Sequence, residues 1–128
     1  MVGVRSCAVS GEVLGRRLLR LDAAYCGAAG VIAVAAFGPL SDLFGVPAPL
    51  LFVAGPVTIV WAGLLYLLAA RPAWRPPVFV VAAANTTAAV GLAALAFVSP
   101  GTAARVLLAA VALEVAAFAV GQLVALRR

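Results

Sequence analysis

Four apolar runs, each long enough to cross a lipid bilayer, leave this chain few folds to choose from. They cover about residues 21–40, 49–70, 77–98 and 102–126, and a helix needs roughly 20 residues to cross about 30 Å of hydrocarbon. The breaks between them are GPLSDLFGVPAP, RPAWRPP and SPGT. All contain proline and most contain glycine, the residues that end helices and start turns. Hydrocarbon holds no water to satisfy a backbone, so runs of this kind are expected to be helical. A soluble alternative fails on composition. Of the 128 residues 66% are hydrophobic and 10% charged, against about half and about a quarter in a soluble domain. A chain this short cannot bury so much apolar surface within itself. The sequence therefore predicts an all-α membrane protein with four transmembrane helices. Residues 1–20 form a basic N-terminal arm and 21–128 the membrane domain. Short links between the runs predict an antiparallel bundle in which successive helices are neighbours.

Charge sets the expected orientation. All nine basic residues are arginine. With the N-terminus inside, Arg5, Arg16, Arg17 and Arg20 of the arm, Arg71 and Arg75 of the second link, and Arg127 and Arg128 at the C-terminus all fall on the cytoplasmic side. Arg105 alone falls outside, as the positive-inside rule asks. An even number of spans then puts both termini in the cytoplasm, an N-in/C-in topology. Arg16, Arg17, Arg20, Arg71, Arg75, Arg127 and Arg128 are accordingly read as topology and lipid-headgroup residues. Trp74, Tyr66 and Tyr25 are placed toward the same interface, where amphipathic aromatics are favoured. Arginines confined to helix ends do not make the continuous basic face that a nucleic acid requires, so no nucleic-acid partner is expected despite the net charge of +5. The arginine-for-lysine usage with abundant alanine, valine and glycine fits a GC-rich bacterial source, hence a bacterial inner (plasma) membrane.

The inventory excludes much chemistry. The chain has no histidine, and Met1 is its only methionine. Haem ligation by His or Met, His-ligated metals and any Ser–His or Cys–His nucleophile are therefore outside its means. No cofactor, metal site or catalytic residue is expected. Cys7 in the arm and Cys26 in the first run are too differently placed for a disulfide to be expected. The four acids are Glu12, Asp22, Asp42 and Glu114, and they are scattered along the chain. Asp22 is read as an anchor at the start of the first span, where an acid suits the helix dipole, and Asp42 with Ser41 as an outer turn.

Glu114 is the polar residue that stands out, near the centre of the fourth run. A charged carboxylate facing lipid at that depth costs at least about 2–3 kcal/mol, so it is expected to face the bundle, to carry its proton, or both. Counting along the helices puts Asn85, Thr87 and Thr58 at similar depth, and with Glu114 they make a candidate intramembrane polar site. Small residues at helical spacing mark contact faces in lipid: Ala23, Gly27 and Gly30; Ala54, Thr58 and Ala62; Ala82, Asn85 and Ala89; Ala103, Ala110, Glu114, Ala117 and Gly121. Among these Gly27, Gly30, Ala117 and Gly121 are the expected helix-packing residues.

Leu19-Arg20-Leu21-Asp22, the Gly-rich first span, the loop Leu43-Phe44-Gly45-Val46-Pro47, an Asn in the third span and the short basic tail together resemble small four-helix bacterial membrane proteins of a DoxX-like kind. The resemblance implies a four-helix bundle and no reaction. Two functional readings follow from the polar residues. In one, Glu114 hydrogen-bonds across helices and the chain acts by helix contact, as an accessory or assembly subunit whose partners are the bilayer and either its own copies or another membrane protein. In the other, Glu114 is the titrating site of a proton-linked transporter or channel for a small solute. A wet cavity at Glu114 would favour the second, a closed contact the first.

Overall fold

The computed structural model describes the backbone of residues 2–128 and the side chains from Ser10 onward. The side chains of Arg5 and Cys7 lie outside the described residues, and with them the expectation about a Cys7–Cys26 pairing. The described chain is all-helical: α1 (Val2–Ala35), α2 (Phe37–Phe44), α3 (Ala48–Ala69), α4 (Arg75–Val98) and α5 (Thr102–Arg127). Four helices are long and apolar enough to cross a membrane, namely Ser10–Ala35 within α1, and all of α3, α4 and α5. This is the architecture of a multi-pass membrane protein.

Two element boundaries differ from the sequence reading. The arm is not separate from the first span, because α1 runs unbroken through both. A short helix alone is marginal, but extending an existing one needs no new nucleus, and here the extension also docks. A side-chain carbon at Gly11 would stand 2.8 Å from the carbonyl oxygen of Ala125, and one at Gly15 would stand 3.0 Å from the Trp74 ring. Glycine at both positions lets the arm lie flush against the end of α5 and the α3–α4 link. The second difference is α2, formed by FGPLSDLF where a loop is predicted. Its proline sits in the first turn, where the missing N–H costs nothing. Gly45, at φ 68°, ends it with its N–H bonded to the Ser41 carbonyl. The Ser41 hydroxyl donates to the carbonyl of Val46, so Ser41 fastens this turn while Asp42 is exposed.

α1 is the centre of the molecule. It packs along α3 on one side and against α5 and α4 on the other, while α4 and α5 form a second close pair and α2 rests on α3. Chain neighbours α3 and α4 are therefore not a packed pair along their length, contrary to the expectation drawn from short links. α1 stands between them. Gly30 and Gly55 explain the close approach of α1 to α3: a side-chain carbon at Gly30 would fall 2.8 Å from the Gly55 carbonyl oxygen, and one at Gly55 3.0 Å from that of Gly30. Such small-residue crossings let backbones touch where lipid supplies no hydrophobic drive for association. Gly27 meets Ala62 more loosely. The apolar core gathers at the arginine-rich end, where Leu19 and Ala23 meet Leu65 and Ala69 of α3 and Val78 and Val81 of α4, with Cys26, Trp61, Trp74 and Leu126 packed around them.

Candidate functional site: a buried carboxylate and two amides

Asp22, Asn85 and Gln122 come together where α1, α4 and α5 meet. All three are buried, with side chains from three different helices. Asn85 Nδ2 donates to Asp22 Oδ2 at 2.6 Å and to Gln122 Oε1 at 3.2 Å. Gln122 Nε2 donates to Asp22 Oδ2 at 3.1 Å, closing a triangle. The Cys26 thiol, one turn along α1, donates to Asp22 Oδ1 at 3.5 Å. Every recorded partner of the Asp22 carboxyl is a donor, which matches an acceptor-only carboxylate. The arrangement also uses the inventory of the two amides economically, since Asn85 spends one N–H on each partner.

No buried side-chain polar atom among the described residues lacks a hydrogen-bond partner. That matters most here. A half-satisfied buried network is worse than an apolar core, whereas a complete one rigidifies the contact. The cluster thus links the α1–α3 pair to the α4–α5 pair by side-chain bonds, at a depth where each inter-helix bond is worth about 0.6–2 kcal/mol.

The arginine-rich end is held by a second kind of polar contact. Arg16 donates to the Ala69 carbonyl at 2.6 Å and the Pro72 carbonyl at 3.3 Å, and pairs with Glu12 at 2.9 Å. Arg75 donates to the Leu126 carbonyl and lies 5.2 Å from the Trp74 ring centre. At the opposite end Arg105 donates to the Ser99 carbonyl at 2.9 Å. Each cation thus meets carbonyls at the C-terminal end of a helix, α3, α5 or α4, which lack intrahelical donors and carry the negative end of the dipole. Arg16 and Arg75 tie separate helices together. Arg17, Arg20, Arg71, Arg127 and Arg128 are exposed, and Arg128 reaches Ser10 Oγ at 3.4 Å.

The predicted polar site is not assembled as expected. Asn85 is buried and bonded across helices, but to Asp22 and Gln122. Glu114 is exposed on the outer face of α5, in an open groove with Leu18, Tyr25, Ala117 and Phe118. Thr58 and Thr87 turn their hydroxyls back to their own helices, onto the carbonyls of Ala54 and Ala83, a local bond that uses the one proton each hydroxyl has to donate. Of the helix-packing residues, Gly30 sits at a tight crossing and Gly121 packs under Leu18, whereas Ala117 is exposed. The α5 face that is buried runs instead through Ala104, Leu108, Ala112, Ala119, Gln122 and Ala125.

Asp22 and Gln122 are the residues that sequence reasoning missed. Asp22 is no helix start, because α1 begins far upstream, and an acid in the middle of the candidate span Ser10–Ala35 is a functional or structural signal by its position alone. Gln122 had the same signal, a polar residue within an apolar run. Its spacing of eight residues turns it only about 80° around the helix from Glu114, and only packing says which of the two is inward. Comparison with protein-family models, with curated proteins and with solved structures finds no match for this chain.

Proposed function

We propose that the chain is a helix-contact protein of a bacterial inner membrane, an accessory or assembly subunit that works through its outward faces and carries out no chemistry of its own. The observation that carries this reading is the closed state of the buried polar cluster found among the described residues. Asp22, Asn85 and Gln122 satisfy one another, and two grooves among the described residues are open on the surface and mostly apolar. One of them, of about 660 Å³, is lined by α4 and α5, mainly by alanines with Val90, Phe97 and Leu113 and with Arg105. A transport site needs a polar path leading to its titrating group. Glu114 instead lies in a surface groove away from Asn85, Thr58 and Thr87, which gives the transport reading less support.

The same proposal includes an antiparallel bundle with both termini in the cytoplasm. Arg16 meets Ala69 and Gly30 meets Gly55, a pairing that runs in opposite senses along α1 and α3. Asn85 meets Gln122, and Arg105 meets Ser99, which does the same for α4 and α5. Eight of the nine arginines then share one side, in keeping with the positive-inside rule.

Reconstituted into liposomes carrying a pH-sensitive dye, the protein should pass no more protons than empty vesicles, and Asp22 should resist carbodiimide until the protein is unfolded. A flux abolished by Asp22→Asn would overturn the helix-contact reading.

A further inference from the structure

Glu114 presents an ionisable group to hydrocarbon, and its own chain does little to cover it. It sits near the middle of α5 and is exposed, with the Tyr25 hydroxyl as the side-chain group of its own chain that reaches it. Tyr25 of α1 shares its groove, and the Tyr25 ring packs against Phe118 at 5.8 Å. A single phenol fills only part of a carboxyl's bonding capacity. A charge left there costs at least about 2–3 kcal/mol, and in a neutral acid bonded to one phenol either the O–H or the carbonyl oxygen is still without a partner. Lipid tails supply neither a donor nor an acceptor, so the group implies a polar partner at its own depth.

We propose that the partner is a second copy of this chain, docked α5 against α5 with the two Glu114 carboxyls bonded to each other. This rests on the helix-contact reading and names the surface and the occupant. Three observations select the copy. Chains inserted in one orientation all carry Glu114 at one depth, and a two-fold axis along the membrane normal brings identical residues face to face. A neutral carboxyl is self-complementary, with one donor and one acceptor, so a pair of them closes without any other group, and Tyr25 of each groove stands beside it. Ala110 and Ala117, one turn to either side of Glu114, are exposed and small, which permits the backbone approach that such a bond needs. The acid carries the inference. The alanines only allow it, and the larger α4–α5 groove has no polar group at mid-depth that would demand a partner.

Cysteine crosslinking in membranes tests this, in a Cys7→Ala, Cys26→Ala background checked for native unfolding behaviour. Oxidation should join Ala110→Cys and Ala117→Cys chains into dimers, while Ala93→Cys and Ala109→Cys, in the α4–α5 groove, stay monomeric. Adding Glu114→Gln, whose amide both donates and accepts, should keep the crosslink. Glu114→Leu should weaken dimerisation about three- to tenfold. Crosslinking through Ala93 and Ala109 instead would overturn this interface and leave the helix-contact reading standing. An Ala117→Cys adduct with a different protein would overturn the second copy as occupant. Undiminished dimers in Glu114→Leu would remove the acid from the interface, and proton flux in the liposome assay would remove the underlying reading.

Discussion

The chain carries two acids near the middle of membrane-length helices, and they meet the cost of that position in opposite ways. Asp22 is enclosed by two amides and a thiol from three helices, and the side chains around it leave only 2% of it exposed. Glu114 lies on the outside of α5, in a groove lined by an aromatic pair and alkyl groups. The first acid completes the fold of one chain. The second is exposed on that fold, and in the dimer proposed above it gains its further partner from another molecule. Burial, not residue type, separates a folding residue from an assembly residue in lipid, because both solvent and core are apolar and the hydrophobic effect does not sort them.

The comparison breaks most readily at Asp22. Asp22→Leu deprives two buried amides of their shared acceptor and should lower stability by about 2–4 kcal/mol, read as a shifted unfolding midpoint in mixed detergent and SDS micelles. A shift under about 0.5 kcal/mol would mean that the cluster does not hold α1 to α4 and α5. Gln122→Leu should have a smaller effect in the same titration, about 1 kcal/mol. It removes one corner of the triangle but leaves the 2.6 Å Asn85–Asp22 bond in place. The smallest effect is expected at Glu114. Glu114→Leu should leave the unfolding midpoint of the single chain within about 0.5 kcal/mol, because the side chain is exposed and, among the described residues, only the Tyr25 hydroxyl reaches it from within the chain. A loss comparable to that of Asp22→Leu would erase the distinction between the two acids and make Glu114 part of the fold.

Much of the architecture was legible along the chain. Four helices long and apolar enough to cross a membrane stand where the four apolar runs predict helices, because proline and glycine mark helix ends and hydropathy is a local property. Asn85 was legible as a buried polar residue on a small-residue face. The start of α1 was not. Its arm carries arginines and glycines that read as a tail, and only the presence of Trp74 and Ala125 turns Gly11 and Gly15 into seats for packing. The expected contact face of α5 was also misplaced, for a plain reason. Alanine lines both the buried side, through Ala104, Ala112 and Ala119, and the exposed side, through Ala103, Ala110 and Ala117. Small-residue periodicity cannot choose between two equal faces.

Sequence by itself determined the class of this protein: helical, with four stretches long and apolar enough for a bilayer and breaks where proline and glycine stand. Those properties add up residue by residue and need no knowledge of neighbours. Tertiary structure alone decided which polar residues meet. Asp22, Asn85 and Gln122 are separated by 63 and 37 positions, and their contact depends on how far each helix is rotated about its own axis. That rotation is set by close approaches such as Gly30 to Gly55 and by arginine caps such as Arg16 on Ala69, and a rotation of one residue step, about 100°, is enough to exchange a buried acid for an exposed one.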